Sequence, residues 1–234
     1  MFTTVNSIKL YYEEFGDGDV LIFLHGNGED LNIFKNSIDF FSKKYKIIAV
    51  DSRGHGKSET GAAPLTIPSL AKDIIELIFQ NKLTNVSLVG FSDGGNIAIE
   101  VASELSSMPN IIKKIVVVGA NLNFNGLKTI ERVKISILEI FYNIFSFIPQ
   151  INKQLKIIRL MTEQPEISDE KLNRIKAEVL VIAGEFDMIK QTHTEKIHGK
   201  INNSKLEIIK NGDHFLFSKK NNEINKIIDE FISN

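Results

Sequence analysis

The sequence predicts an α/β protein built on a doubly wound, mostly parallel sheet. Short apolar runs that suit strands alternate with longer amphipathic segments that suit helices over most of the chain. The apolar runs, such as Val20–Leu24, are continuous, as in strands of a parallel sheet that helices cover on both faces. A length of 234 residues with 43% hydrophobic content is enough for one domain with a sizeable core.

The predicted elements begin with a hairpin of two strands, residues 2–5 and 8–15, joined by a turn at Asn6-Ser7. After a second turn at residues 16–19 the alternation of strand and helix begins. The next predicted elements are strands at 20–24, 46–50, 86–89 and 114–119, and helices at 31–43, 67–80 and 95–102. Pro68 is compatible with the first turn of its helix, where the backbone N–H has no intrahelical acceptor.

The alternation stops after Ala120. Residues 121–170 contain no convincing strand, and 135–148 is apolar or aromatic on almost every side, which predicts a helix buried on more than one face and ended near Pro149. Strands at 179–183 and 205–209 and a helix at 222–232 resume the pattern. We therefore predict a core of residues 1–120 and 171–234, interrupted by a short helical cap at 121–170.

Composition restricts the function classes. The 28 basic and 29 acidic residues nearly cancel, which disfavours a nucleic-acid partner. The chain has no cysteine, and the five-residue spacing of His193 and His198 is poor for a metal site, so we expect both to be surface residues and expect no metal or cofactor. We see no leader sequence and no membrane-spanning segment, and expect a cytoplasmic enzyme that acts on a small molecule.

The segment Gly90-Phe91-Ser92-Asp93-Gly94 lies between an apolar strand and a helix. A sharp turn at that place holds the Ser92 hydroxyl clear of the backbone, at the positive end of the helix. A side chain at either flanking glycine would crowd such a turn. The segment therefore predicts a serine nucleophile.

A serine nucleophile needs a base, and the base needs an acid. Loops that follow parallel strands meet at the carboxyl edge of the sheet, where Asp187 follows one predicted strand and His214 the next. Glu185 and Asp213 are alternative acids, but Asp213 adjoins His214 and a sequence neighbour rarely reaches the imidazole. His25 and His55 precede Ser92 and suit the role of base less well.

The oxyanion of an acyl-transfer reaction needs backbone N–H donors aimed at it. We expect one from Asp93, the residue after the nucleophile. The second is expected from Asn27, in the loop after strand 20–24, where two glycines allow a close approach to the site. His25 is expected to brace that loop.

These motifs together resemble the α/β-hydrolase superfamily, and the Ser-Asp-Gly-Gly version of the turn is similar to its biphenyl-hydrolase-like and small carboxylesterase branch. The resemblance covers nearly the whole chain and rests on residues 25–28 (HGNG), 51–58 (DSRGHGKS), 90–95 (GFSDGG), 184–187 (GEFD) and 212–214 (GDH). It implies a triad of Ser92, His214 and Asp187, in the chain order that the fold uses. A serine nucleophile argues against haloalkane dehalogenases and epoxide hydrolases, and residues 51–58 resemble a structural loop.

The substrate is less well determined. Phe141, Phe145 and Phe147 either pack the cap or partly line a pocket for an acyl or aryl group. The Asp93 carboxylate either bonds locally or pairs with the ammonium of an α-amino ester. We expect a cofactor-free serine hydrolase of small carboxylic esters. The alternatives are C–C bond hydrolysis, perhydrolysis or acyl transfer on the same triad, and a catalytically silent binding protein.

Overall fold

One sheet of eight strands organises the molecule, and the computed structural model describes residues 1–108 and 110–234. The strands are β1 (Phe2–Val5), β2 (Ile8–Phe15), β3 (Val20–Leu24), β4 (Lys46–Asp51), β5 (Val86–Phe91), β6 (Ile112–Val118), β7 (Glu178–Gly184) and β8 (Ser204–Ile209). Their order is β1-β2-β4-β3-β5-β6-β7-β8. Strands β3 to β8 are mutually parallel, while β2 pairs antiparallel with both β1 and β4. The predicted fold class is confirmed.

Helices cover both faces of the sheet. They are α1 (Lys35–Phe41), α2 (Ile67–Gln80), α3 (Asp93–Glu104), α4 (Thr129–Ile144), α5 (Pro149–Thr162), α6 (Asp169–Arg174), α7 (Gln191–Lys200), α8 (Leu216–Lys219) and α9 (Asn221–Ser233). One core contains the apolar sides of α2, α3 and α7, and the other contains those of α1 and α9. Alternate residues of β3 enter the two cores, which explains its continuous apolar sequence.

Local sequence signals account for several boundaries. Asn6 and Ser7 both adopt positive φ, 43° and 64°, in the tight turn between β1 and β2. Thr66 and Ser69 form a capping box that starts α2, with Pro68 in its first turn. The helix expected at 31–43 begins as a single 3₁₀ turn, Leu31–Phe34, before α1.

The segment between β6 and β7 forms α4, α5 and α6, and the division of the chain into core and cap stays a prediction. The expectation that its apolar helix is buried on more than one face is wrong, because Ile135 is the only fully buried residue that α4 contributes. The helix also ends earlier than expected, at Ile144, and Pro149 instead begins α5. Among the described residues, no helix combines the length and apolar content needed to cross a membrane.

Candidate active site

Ser92 lies at the turn between β5 and α3, with φ of 53° and ψ of −117°. Its backbone N–H donates to the carbonyl of Val118 at 2.7 Å, which fixes the turn to the neighbouring strand. The glycines on either side of the turn, Gly90 and Gly94, are required because neighbouring backbone atoms lie too close for a side chain. A Cβ on Gly90 would lie 2.2 Å from the Gly94 carbonyl oxygen, and one on Gly94 would lie 1.9 Å from that of Leu24.

The loops after β7 and β8 bring Asp187 and His214 to this turn. Nε2 of His214 lies 3.1 Å from Oγ of Ser92, and Nδ1 lies 2.8 Å from Oδ1 of Asp187. The same Oδ1 accepts the backbone N–H of Ile189 at 2.9 Å. The Asp187 and His214 side chains are buried, so the carboxylate can hold the proton on Nδ1 and leave Nε2 to accept the hydroxyl proton.

Gly119, at the end of β6, belongs to the same arrangement and was not anticipated from the sequence. It adopts φ of +63°, and a Cβ there would lie 2.9 Å from Cε1 and 3.0 Å from Nδ1 of His214. The imidazole therefore packs directly on this backbone position, which favours glycine for both conformation and space.

The alternative acids are engaged elsewhere. Oε2 of Glu185 accepts the backbone N–H of Asn211 at 2.9 Å. Asp213 pairs with Lys219, and that hydrogen bond lowers the pKa of the Asp213 carboxyl. Neither residue is hydrogen-bonded to His214 within the part of the chain that the structure describes.

Asn27 lies in the loop after β3, opposite the N-terminus of α3. Within the described residues, neither its backbone N–H nor that of Asp93 donates to a protein acceptor, so both remain available to an oxyanion. The Asn27 side chain has a further role that the sequence did not indicate. Its Nδ2 donates to Oδ2 of Asp93 at 3.0 Å and to the carbonyl of Ile157 in α5 at 2.8 Å. One amide thus joins the loop, the carboxylate and helix α5.

The Asp93 carboxylate is buried and accepts two side-chain amides, one from Asn27 and one from Asn96 at 3.4 Å. Burial raises its pKa to about 6, and the two hydrogen bonds oppose that rise. The local hydrogen bonding expected of this side chain is therefore present. Asp93 also lines the small cavity at Ser92, so the two alternatives for its role are compatible.

Glu29 is a second carboxylate at the site. Its Oε2 accepts the backbone N–H of Gly26 at 3.1 Å, and a Cβ on Gly26 would lie only 3.1 Å from the Ser92 Cβ. Burial is the main cause that raises the pKa of Glu29 to about 7; the hydrogen bond from Gly26 opposes the rise, and the negative charges of Asp30 and Asp93 add a smaller contribution to it. The loop that approaches the nucleophile is thus held by an acid that titrates near neutrality.

His25 and His55 are buried and structural. Nε2 of His25 accepts the backbone N–H of Ser52 at 2.9 Å, so Nδ1 donates to the carbonyl of Gly26 at 2.8 Å. His25 therefore ties the loop after β3 to the loop after β4. Nδ1 of His55 lies 3.0 Å from the carbonyl of Arg53. Burial lowers the pKa of each imidazole to about 4.

The segment 51–58 carries structural hydrogen bonds. The two oxygens of the Asp51 carboxylate accept the backbone N–H groups of Leu31 and Lys57, at 2.9 and 2.8 Å. Arg53 donates two short hydrogen bonds to Asp73 in α2, and both side chains are buried. The segment thereby anchors neighbouring loops to the core.

His193 and His198, which we expected to be surface residues, are both partly exposed on α7. Nδ1 of His193 accepts the backbone N–H of Leu122 at 3.3 Å, and Nδ1 of His198 lies 2.8 Å from the hydroxyl of Ser204. Each joins α7 to a neighbouring loop or strand. Within residues 1–108 and 110–234, no group of three or more acidic, histidine or cysteine side chains is arranged to hold a metal ion.

The space at the nucleophile is small. The cavity measures about 10 Å³, which is close to the volume that one water needs. Its lining is Ser92, Asp93, Asn121, Leu127, Met161, Met188, Ile189 and His214. A wider cleft of about 370 Å³ lies beside His214 and Asp187, between Lys128 and Phe215. Met188 lines both spaces, and Met161 lines the cavity alone.

The structure does not bring Phe141, Phe145 and Phe147 to Ser92. None of them lines the cavity or the cleft just described. The Phe141 and Phe145 rings contact each other at a tilted angle with centroids 4.8 Å apart, and Phe147 is 78% exposed beyond them. The expected pocket lining is corrected: Leu127, Met161, Met188 and Ile189 supply the apolar wall instead.

Comparison with known proteins agrees with this geometry. Residues 19–145, more than half of the chain, match the family model described as alpha/beta hydrolase fold. The chain is 29% identical to human serine hydrolase BPHL over 251 aligned positions, covering 97% of this chain and 84% of that protein. It is 35% identical to 3-oxoadipate enol-lactonase 2 of Acinetobacter baylyi over 94 residues, which cover 39% of this chain and 35% of that protein.

Solved structures share the fold over the whole chain. The enol-lactonase of Burkholderia xenovorans superposes with a TM-score of 0.81 at 17% identity, covering all of both chains. An esterase from Exiguobacterium antarcticum superposes with a TM-score of 0.80 at 23% identity, covering 100% of this chain and 99% of that one.

Proposed function

The chain belongs to the α/β-hydrolase family, and from that premise we propose that it is a serine hydrolase that cleaves a small carboxylic ester through an acyl-enzyme intermediate. One observation carries the proposal. Oγ of Ser92, the His214 imidazole and the Asp187 carboxylate form a continuous hydrogen-bonded line, with distances of 3.1 and 2.8 Å. That arrangement activates a hydroxyl for attack on a carbonyl.

The proposed reaction has two halves. Nε2 of His214 takes the Ser92 proton while Oγ adds to the ester carbonyl, and the backbone N–H groups of Asn27 and Asp93 stabilise the resulting oxyanion. The tetrahedral species collapses, the C–O bond to the alcohol breaks, and His214 returns the proton to that alcohol. Water then adds to the acyl-enzyme by the same route and releases the acid and free Ser92.

The charges at the site favour a cationic acyl group. Asp93 and Glu29 lie beside the nucleophile, and neither forms an ion pair with a lysine or arginine among the described residues. The pKa of Asp93, about 6, leaves this carboxylate mainly ionised at pH 7, and its unpaired negative charge attracts a substrate ammonium. We therefore infer that α-amino esters are preferred over neutral esters of the same size. The small cavity at Ser92 favours short acyl groups.

The test is a panel of p-nitrophenyl esters, amino-acid esters and lactones, measured with wild type, Ser92→Ala and Ser52→Ala. Ser52 is the matched control, because its buried hydroxyl has no hydrogen-bond partner in the described chain. We expect Ser92→Ala to lose roughly 10⁴-fold in kcat or more, and Ser52→Ala to retain its activity. In the wild-type protein, a fluorophosphonate should label Ser92 but not Ser52. Ester turnover by Ser92→Ala near the wild-type rate would overturn the proposal.

A further inference from the structure

The outer face of α4 carries an unusual apolar stripe. Its members are Ile130 (65% exposed), Val133 (53%), Ile137 (63%), Ile140 (60%) and Ile144 (62%). Their spacing of three, four, three and four residues places them in one row along the helix. On the opposite face, Ile135 and Tyr142 pack into a small core with Leu155 and Ile158 of α5. The helix thus has two apolar faces, and only one is covered.

The spacing of the stripe is that of a helix-pairing seam. Apolar residues at alternating intervals of three and four are the a and d positions of two heptads, and β-branched side chains fill all five here. The flanking positions that govern charge pairing hold Thr129, Lys134, Ser136, Phe141 and Asn143. The only charged residue among them, Lys134, already pairs with Glu131 at 2.8 Å. Two such faces can therefore meet without repulsion between like charges.

The stripe is symmetric about a point midway between Ile137 and Ile140. A twofold axis at that point would pair Ile137 with Ile140, and Val133 with Ile144, of an antiparallel copy, as a self-complementary interface requires. Lys134 of each copy would then lie near Phe141 of the other, where its aliphatic stem and charge suit an aromatic ring.

We propose that α4 binds α4 of a second copy of this chain, antiparallel, to form a homodimer. Helix α4, along which the stripe runs, is sixteen residues, or about 24 Å, long. Phe147, which is 78% exposed beyond the end of α4, extends the patch. A single pair of helices of this length is a small contact, so we expect the dimer to be reversible and concentration-dependent. Apolar patches of this extent are typical of interaction sites rather than of free surfaces.

Sedimentation equilibrium between about 1 and 200 μM tests the association. The mass of wild type should rise from the 26.3 kDa of one chain towards twice that value. Ile137→Glu places a carboxylate at the centre of the seam and should weaken association at least about a hundredfold, because a buried unpaired charge is costly. Ile144→Glu should act similarly, and Lys72→Glu on exposed α2 should not. Circular dichroism checks that each variant is folded.

Single cysteines test the geometry, since the chain has none of its own. Ile137→Cys and Ile140→Cys should form a disulfide with each other when mixed under mild oxidation. Val133→Cys and Ile144→Cys should also cross-link with each other, but not each with itself, whereas Lys72→Cys should stay monomeric. Self-linking of Val133→Cys would show a parallel pair and refute the antiparallel arrangement. A wild type that stays monomeric at 200 μM would overturn the proposal, as would binding of the stripe to anionic lipid vesicles in place of dimerisation.

Discussion

Replacing Asp93 by asparagine should stabilise the protein at neutral pH. The carboxylate is buried, and burial raises its pKa from 3.8 to about 6. Between pH 3.8 and about pH 6, the Asp93 carboxyl is ionised in the unfolded chain but stays protonated in the folded protein. The associated stability is therefore complete below about pH 4 and lost as pH rises to about 6. At about 1.4 kcal/mol per pH unit, the loss is roughly 3 kcal/mol at pH 7.

The amide has a cost of its own. The Asp93 carboxylate accepts hydrogen bonds from both Asn27 and Asn96, and an asparagine oxygen can satisfy them only in part while its amino group faces another donor. A weakened neutral hydrogen bond is worth about 1 kcal/mol. The net gain at pH 7 is therefore about 1–2 kcal/mol, which raises Tm by roughly 2–8 °C for a chain of this size.

The same substitution tests the substrate proposal. If the carboxylate pairs with a substrate ammonium, Asp93→Asn should lower kcat/KM for α-amino esters by about 30-fold or more, as expected when one partner of a buried charge pair is removed. Neutral esters of equal size should change little, because the Asp93 backbone N–H survives the substitution. An equal loss on both esters would assign the side chain to the geometry of the turn.

Thermal melts at pH 4 and pH 8 provide the stability assay. Asp93→Asn should gain stability relative to wild type only at the higher pH. Asp213→Asn is a matched control, because the pKa of Asp213 is lowered by its hydrogen bond with Lys219 and not raised by burial. The stability change of Asp213→Asn should therefore not show the pH dependence of Asp93→Asn. A Tm difference for Asp93→Asn that is the same at both pH values, or a destabilisation at pH 8, would refute the electrostatic reasoning.

Two other substitutions have defined outcomes. Gly119→Ala should displace the His214 ring, because a Cβ at this position would lie 2.9 Å from Cε1 of His214. We expect a loss of about 10–100-fold in kcat with little change in KM. Full activity of the variant would contradict the packing argument. Glu29→Gln should raise Tm at pH 8 but not at pH 4, because burial raises the pKa of Glu29 to about 7 and the stability that this provides at low pH is lost as pH rises towards that value. The gain should be smaller than the pKa change alone implies, because the Glu29 side chain is partly exposed and solvent screens its charge.

Much of the fold was predictable because its signals are local. The turn at Asn6-Ser7, the start of α2 with Pro68 in its first turn, and the continuous apolar strands each follow from a few adjacent residues. The proximity of Ser92, Asp187 and His214 was also predictable, since every residue that directly follows a parallel strand meets its neighbours at one edge of the sheet. Their catalytic roles and the cytoplasmic location stay predictions.

Contacts between distant segments left no such signal. The Asn27 side chain reaches Ile157 across 130 positions, and Gly119 supports His214 from the loop after β6. The apolar sequence of α4 shows the same limit more sharply. Periodicity identified a helix that avoids water on nearly every side, but it cannot distinguish a face that packs within the chain from one that packs outside it. The expectation of burial for Phe141 and Phe147 failed for that reason. If α4 pairs with a second copy, the exposed apolar face of α4 becomes buried in the dimer. The prediction that α4 is buried on more than one face then failed for the monomer because the packing partner is another molecule of the same chain.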